Sequence, residues 1–589
     1  MFLFDFFRSF LPLHNPMGFG ASDFLLLMLA LLLALWAVAW PAIEPRVARL
    51  AWRTGWSMAA VALLPVVLRL ALLPNHPVPV PDIYDEFGHL LAADTLRHLR
   101  LANPPHALPQ FFETQFVLQQ PAYSSIYPIG QGLMLALGGT LFGHPWAGVL
   151  LAVAAFCALC YWMLRAWTTP PWALFGGVLA AIGFGPLCYW MNSYWGGAAA
   201  AAAGCLVFGA LPRLIKAEST TRNALLMGIG LGLHFLIRPY ESVFLLLSVL
   251  LFLLPLAKRA RELKSFGKPA ALAGLPVLIA LGITLVQNRQ VTGSWTMLPY
   301  TLSRYQYGVP ASLTFEANPV PHRQLNREQE LNYRMQAGFR GSAPETWKSF
   351  LERLEYRVRF YRFFFLAPLY LVLPAFLWAC RGFRFAWVAI TLALFALGTN
   401  FYPNFETHYI AAVTCLFILT AIAGLERISR FNRTAAGLIA FLCVAQFLFW
   451  YTLHLLDNQQ FSMALRQYET WDGLNHRNPR ARMAINRQLE AIPGRLLVFV
   501  GYYPQHHFQE EWVYNGADID TSRVVWARDL GAAENEKLLA YFRGRAAWLL
   551  EPDFRPPRLT PYLSHVGQAP SPAEPHEPHP PSLRGTLDR

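Results

Sequence analysis

Residues 80–106 read VPDIYDEFGHLLAADTLRHLRLANPPH. Asp82, Asp85, Glu86 and Asp94 fall within thirteen residues, in a chain where only 14% of residues are charged. The run just before, about 54–74, is apolar and long enough to cross a bilayer, which takes about 20 residues. Leu90, Leu91, Ala93 and Leu96 give the stretch an apolar side, as in a helix lying on a membrane surface. Asp85 and His89 stand four apart and share one face of that helix. The stretch continues through Phe111, Phe112 and Glu113 to SSIYPIGQG at 124–132, where the next apolar run begins. An acidic segment of this length between apolar runs reads as a loop outside a membrane.

The rest of the chain agrees. Of its 589 residues 55% are hydrophobic, and the charged share falls well below the roughly 25% of soluble domains. Mean hydropathy is +0.32. A soluble enzyme, a disordered chain and a collagen-like fibre are excluded. Candidate spans lie at about 23–43, 54–74, 145–165, 172–190, 196–212, 223–238, 242–257, 269–287, 361–380, 384–401, 409–425 and 434–455. That makes about twelve, and 129–142 is too short for another, so it reads as a re-entrant or interfacial segment. The loops alternate in charge. Clusters such as Arg46/Arg49/Arg53, Arg213/Lys216/Arg222, Lys258–Lys268 and Arg427/Arg430/Arg433 fall on one side, which the positive-inside rule makes cytoplasmic. The net charge of +13 is read as these loops and not as a nucleic-acid surface. The opposite side holds the acidic loop of about 75–132, a large loop at 288–360 and the C-terminal region. In a bacterium that side is the periplasm; in a eukaryote it is the ER lumen or the exterior. The first residues lack a basic segment and a small-residue cleavage site, so the run Asp23 to Ile43 is expected to be a retained span.

The expected fold is mainly α: a polytopic helix bundle over 1–455, a small α/β periplasmic domain over 456–555 and a Pro-rich, disordered tail over 556–589. In the middle part Leu496–Val500, Val524–Trp526 and Ala547–Leu550 read as strands, with helices at Ala481–Ala491 and Asn535–Phe542. The seven cysteines all lie in or beside apolar runs, so Cys157-x-x-Cys160 reads as small hydrophobes on a spanning helix.

Several groups carry chemistry. Asp85 with Glu86 suits a general base at the bilayer surface, tuned by burial and neighbouring charge. The competing reading is a solvated loop with helix-capping carboxylates. Asp82, Asp85, Glu86 and Asp94 are also oxygen ligands suited to Mg²⁺ or Mn²⁺, and a metal is left open. Arg238, in HFLIRPYE at 234–241, sits at the outer end of a span, where a charge is costly and usually paired. Glu241 is its expected partner; the alternative is that Arg238 holds a phosphate. Tyr194 and Trp195 read equally as interface anchors or a sugar-stacking platform. In 288–360 ten bases face six acids, and 345–360 reads as an interfacial amphipathic helix. Arg304, in TLSRYQYG, is the phosphate candidate there. His506-His507-x-x-Glu510, and His565, His576 and His579 in the tail, have the flavour of metal ligands but read more simply as surface residues.

The Asp85-Glu86 pair in the first large outer loop, the amphipathic helix after it and Tyr127-Pro128-Ile129-Gly130 entering the next helix resemble the GT-C glycosyltransferases. These membrane enzymes use polyprenyl-phosphate sugars; the lipid A aminoarabinose transferases and protein O-mannosyltransferases belong to them. The resemblance covers about 54–455 in architecture and is motif-specific over 79–132. It implies that Asp85 is the catalytic carboxylate, with Glu86 beside it. It further implies a polyprenyl-phosphate sugar donor and no nucleotide-sugar site. The donor-binding candidates are His89, Asp94, Glu113, Tyr127, Tyr194, Trp195, Arg238, Tyr240, Glu241, Arg304, His408 and Tyr409. Two departures stand out. Two spans precede the acidic loop where many members have one, and Glu406-Thr407-His408-Tyr409 carries His in place of the family's Arg-Tyr.

The expected function is transfer of a sugar, with inversion, to a hydroxyl of a lipid, glycan or protein acceptor at the outer face of a bacterial inner membrane. No second, nucleophilic carboxylate is evident, hence inversion. Partners are the lipid-linked donor, the acceptor and membrane lipids, with no nucleic acid. The alternatives are a transporter or flippase of lipid-linked sugars, or a non-catalytic envelope-assembly protein.

Overall fold

The computed structural model describes residue 28, residues 31–33, 35–36, 46–81, 83–257, 267–456 and 480–562. Most of the expected span 23–43, Asp82 and the tail histidines lie outside these residues.

α1 (Thr54–Ala71) leads to α2 (Tyr84–Arg97), the helix of the acidic stretch. A two-residue ribbon, β1 (Val117–Leu118) with β2 (Ser124–Ser125), is followed by α3 (Ile129–Phe142) and α4 (Pro145–Leu164). Gly143, at φ 76°, ends α3, and Pro145 starts α4 at a position where a helix needs no N–H. The two helices pack as a hairpin so close that a Cβ on Gly138 would overlap the backbone nitrogen of Gly148. α5 (Pro170–Phe184), α6 (Ala198–Ile215), α7 (Thr220–Ile237), α8 (Pro239–Ala257) and α9 (Gly267–Thr292) complete the first part. Ala198–Ala203 on α6 are all buried, which lets neighbouring backbones come close. The large loop folds into α10 (Pro299–Tyr307), α11 (Arg327–Arg340) and α12 (Trp347–Val358). On α12 Trp347 and Leu351 are exposed, an apolar face of the kind an interfacial helix presents. Then come α13 (Leu373–Ala379), α14 (Phe383–Thr399), α15 (Thr414–Phe431) and α16 (Arg433–Leu456).

The expected count of about twelve spans is supported only in part. Among the described residues six helices are long and apolar enough to cross a membrane: Thr54–Ala71, Pro145–Leu164, Ala198–Ile215, Gly267–Thr292, Thr407–Phe431 and Arg433–Thr452. Ile129–Phe142, Pro170–Phe184, Pro239–Leu254 and Phe383–Thr399 are apolar but shorter. The chemistry of the breaks is local. α5 stops before Gly185-Pro186, and its 15 residues span only about 22 Å at 1.5 Å each. The expected span 361–380 is not one helix: Phe365 is extended, and Pro368 and Pro374 divide the rest into 3₁₀ and α pieces. The main core lies between α4, α5, α6 and α15, around Trp190, Phe208 and Trp387.

The C-terminal part begins with α17 (Arg480–Ala491), then β3 (Leu496–Val500), β4 (Val524–Arg528), α18 (Ala532–Tyr541), β5 (Ala546–Glu551) and β6 (Arg558–Pro561). The sheet order is β4-β3-β5-β6, with β3 parallel to both neighbours and β6 antiparallel to β5. β6 falls in the stretch expected to be a tail. β3 is buried on both faces. Leu496 and Val498 meet Ile485 and Leu489 of α17, while Leu497 and Phe499 meet Phe111, Phe112 and Val117 of the acidic loop. The sheet is therefore seated directly on the loop that carries Asp85.

Candidate active site

A cavity of about 590 Å³ lies between the N-terminus of α2, the α7–α8 junction, α10, α11 and the segment 402–409. Asp85 stands in the first turn of α2, where the helix end favours a negative charge. The Tyr127 hydroxyl donates to its Oδ1. Burial raises the Asp85 carboxyl to about 6, against the opposing pull of that hydrogen bond and of Arg238. His89, one turn on, packs 4.4 Å from the Tyr127 ring. Burial, then the charge of Arg238, lowers it to about 3, so it is neutral at pH 7. Its Nδ1 is buried with no hydrogen-bond partner.

Arg238 occupies the break between α7 and α8, enforced by Pro239. Its guanidinium lies 4.8 Å from the centre of the Tyr409 ring. Among the described residues no hydrogen bond or ion pair engages it. Glu241, expected to pair with it, is buried on the same wall with Oε1 unbonded, and no direct ion pair forms between them. Arg304 is more occupied: it donates to the carbonyls of Pro310 and Ala311 at 3.1 and 3.0 Å and lies 3.8 Å from Glu316.

Asp85, His89, Tyr127, Trp195, Arg238, Tyr240, Glu241, Arg304, His408 and Tyr409 all line the cavity. His408 is held by the Tyr189 hydroxyl at 2.9 Å and meets the edge of Trp195. Four other candidates are placed elsewhere. Glu86 accepts the Tyr194 N–H at 3.0 Å and the Ile83 N–H at 3.3 Å, capping α2 and tying it to the 192–197 loop. Tyr194 is buried and bonds Pro79 O at 2.8 Å, so only Trp195 of that pair offers a ring to the cavity. Asp94 accepts the Ala517 N–H at 2.7 Å from the C-terminal part. Glu113 is paired with Arg323 at 3.0 Å and accepts the Tyr307 hydroxyl at 2.9 Å. With Glu86 and Asp94 so engaged, Asp85, Glu86 and Asp94 do not converge on one point. No group of three or more metal-binding side chains is found among the described residues. His506, from the C-terminal motif, is bonded to Asp553 at 2.7 Å.

Some cavity residues escaped the sequence reading: Tyr84, Tyr300, Tyr402 and Gln509. A signal existed for two of them. Tyr127-Pro128, Pro239-Tyr240, Pro299-Tyr300 and Tyr402-Pro403 each join a tyrosine to a proline near a helix end, and all eight residues line the cavity. Pro128, Pro239 and Pro299 stand at helix starts, and the tyrosine beside each lines the cavity.

In three-dimensional comparison the chain is similar to ArnT from Cupriavidus metallidurans. The apo crystal structure matches at TM-score 0.47 and 12% identity, over 85% of this chain and 93% of that one. The structure bound to undecaprenyl phosphate matches at TM-score 0.47 and 13% identity, with the same coverage. The apo oligosaccharyltransferase from Archaeoglobus fulgidus matches at TM-score 0.33 and 13% identity, over 76% and 62% of the two chains. No family model and no curated protein matches the chain.

Proposed function

We propose that the chain is an integral-membrane glycosyltransferase that moves a sugar from a polyprenyl-phosphate donor to an acceptor hydroxyl. The observation that carries this reading is an arginine that no carboxylate among the described residues bonds directly, although Glu241 acts on it through space, in the same cavity as a partly buried carboxylate. A guanidinium left open in this way suits a lipid-linked phosphate. Asp85 takes the proton from the acceptor hydroxyl as its oxygen bonds to the anomeric carbon. The bond from that carbon to the phosphate oxygen breaks, and polyprenyl phosphate leaves with its charge met by Arg238. The transition state is oxocarbenium-like, and a single carboxylate acting as base gives inversion. Loop charge supports an active site on the periplasmic face of a bacterial inner membrane. The sequence resemblance of the Asp85-Glu86 and Tyr-Pro-x-Gly motifs points the same way.

The test is turnover by purified protein in lipid nanodiscs, offered a panel of polyprenyl-phosphate sugars and candidate acceptors. Wild type is expected to release polyprenyl phosphate. Asp85→Asn should lower kcat by about 10²–10⁴-fold, the usual cost of losing a general base. Arg238→Gln should lower kcat/KM for the donor with the protein still folded. Movement of intact donor across the bilayer, unaffected by Asp85→Asn, would overturn the enzyme reading in favour of a flippase.

A further inference from the structure

The C-terminal part touches α2 at both ends. Phe87 lies two residues after Asp85, on another side of the helix. The ring of Tyr514 lies flat on it, with centroids 4.1 Å apart and planes 3° from parallel. Arg482, from α17, stands 4.7 Å from the Phe87 ring and 4.5 Å from that of Trp512, and donates to Glu511 O at 2.6 Å. The Tyr514 hydroxyl donates to Gln115 O at 3.3 Å, joining the same residue to the acidic loop. At the far end of α2, Asp94 accepts the Ala517 N–H at 2.7 Å. Gln509, on the same C-terminal segment, lines the cavity and reaches Met335 of α11.

These contacts are more than a soluble module resting on a membrane bundle needs. α2 has 14 residues, only about 21 Å of helix. Its first turn carries Asp85, which accepts the Tyr127 hydroxyl, and Glu86, which accepts the Tyr194 N–H. The side that carries Phe87 is held by Tyr514 and Arg482. A stacked aromatic pair attracts beyond the area it buries, and a buried arginine over one of its rings adds to that attraction. That is enough to select one seat for a short helix, and a 1 Å error in the seat of a base can cost about 10²-fold in rate.

We propose that Tyr514 and Arg482 are positioning residues for the general base, so that the C-terminal domain is a working part of the active site. The proposal rests on the role assigned to Asp85 above. The stack fixes the first turn of α2, and the Asp94–Ala517 bond fixes its last.

Two measurements on the full chain in nanodiscs test it. Hydrogen exchange compares wild type, Tyr514→Ala, Tyr514→Phe and Arg482→Gln. In Tyr514→Ala the amides of α2 should exchange faster while those of β3 keep their protection, and Tyr514→Phe, which retains the stack, should restore the wild-type pattern. Steady-state kinetics should give Tyr514→Ala a kcat about 10- to 100-fold lower, with KM for the donor unchanged and Tyr514→Phe near wild type. Unchanged exchange in α2, or a kcat like that of wild type, would overturn the proposal. If Tyr514→Ala also loses protection in β3, Arg482→Gln decides the matter in the same terms, since Ile485 and Leu489 still hold α17 to the sheet. Absence of turnover in wild type would count against the enzyme reading alone, and the exchange comparison would still settle whether the stack seats α2.

Discussion

At the scale of single residues the cavity is a problem in proton placement. Burial works on Asp85 against one hydroxyl and one guanidinium, and leaves its carboxyl at about 6. A base must be unprotonated, so turnover should rise with pH through about 6 and level off above it. Tyr127→Phe removes the hydroxyl that favours the charged form, so the acidic limb should move to higher pH. A limb that stays put or moves down would show that the bond does not tune Asp85. The same shift has a sign for stability. The folded carboxyl binds its proton more tightly than a free carboxyl of pKa 3.8, so Asp85 costs stability as pH rises through this window. Asp85→Asn should therefore melt no lower than wild type at pH 7 while losing activity. Asp85 was legible because a charge in so apolar a chain needs a reason. The engagement of Glu86 was not, since residues i and i+1 point to different sides of a helix. Nor was that of Glu113, whose partner Arg323 lies in another loop. Spacing along a chain does not report pairing across it.

The elements place these residues through their breaks more than through their lengths. Pro239 divides α7 from α8 and sets Arg238 at the rim. The segment Thr407–Val413, with Ile410 out of helical geometry, sets His408 and Tyr409 opposite it. That segment rests on α6 at Gly204, where a Cβ would overlap the Ala412 carbonyl. Gly204→Leu should cost about 1–3 kcal/mol, the usual price of overpacking, and should lower turnover by displacing His408 and Tyr409. Gly183→Ala, with nothing within 4 Å of the new methyl, is the control and should leave the melting temperature unchanged. Equal melting temperatures for the two variants would mean that α6 can yield without strain. Hydropathy found most of these helices and overstated their continuity, because apolar windows do not register Gly185-Pro186 or the prolines at 368 and 374. The Pro-rich run after 555 hid β6 for the opposite reason. Composition argued for a tail, yet an edge strand can end on a proline, as β6 does at Pro561.

At the scale of the molecule, two parts of the chain far apart in sequence meet around one buried charge. Arg528, at the end of β4, donates to Glu328 of α11 through Nη1 at 2.9 Å, and Glu511 lies 3.6 Å away. Side-chain exposure is 6% for Arg528 and Glu328 and 1% for Glu511, so the two carboxylates share one cation with almost no water. Short apolar runs rich in β-branched and aromatic residues were enough to read β3 and β4 in the sequence, but the face β3 turns to Phe111 and Phe112 was not legible, because both its faces are apolar. The triad makes the docking testable by a cycle of substitutions. Arg528→Met takes the shared cation from two buried carboxylates, leaving Glu328 only the more exposed Arg327 at 3.7 Å and Glu511 only uncharged donors, and should cost about 3–5 kcal/mol, the range for breaking a buried pair from one side. Adding Glu328→Gln and Glu511→Gln removes the stranded charges and should recover most of that loss. Thermal melting in nanodiscs reads the stability, and protease cleavage within 288–360 reads whether α11 has come away from the sheet. Equal destabilisation by the single and the triple substitution would mean that packing of Leu497 and Phe499 on the acidic loop, and not the shared charge, sets where the C-terminal domain sits.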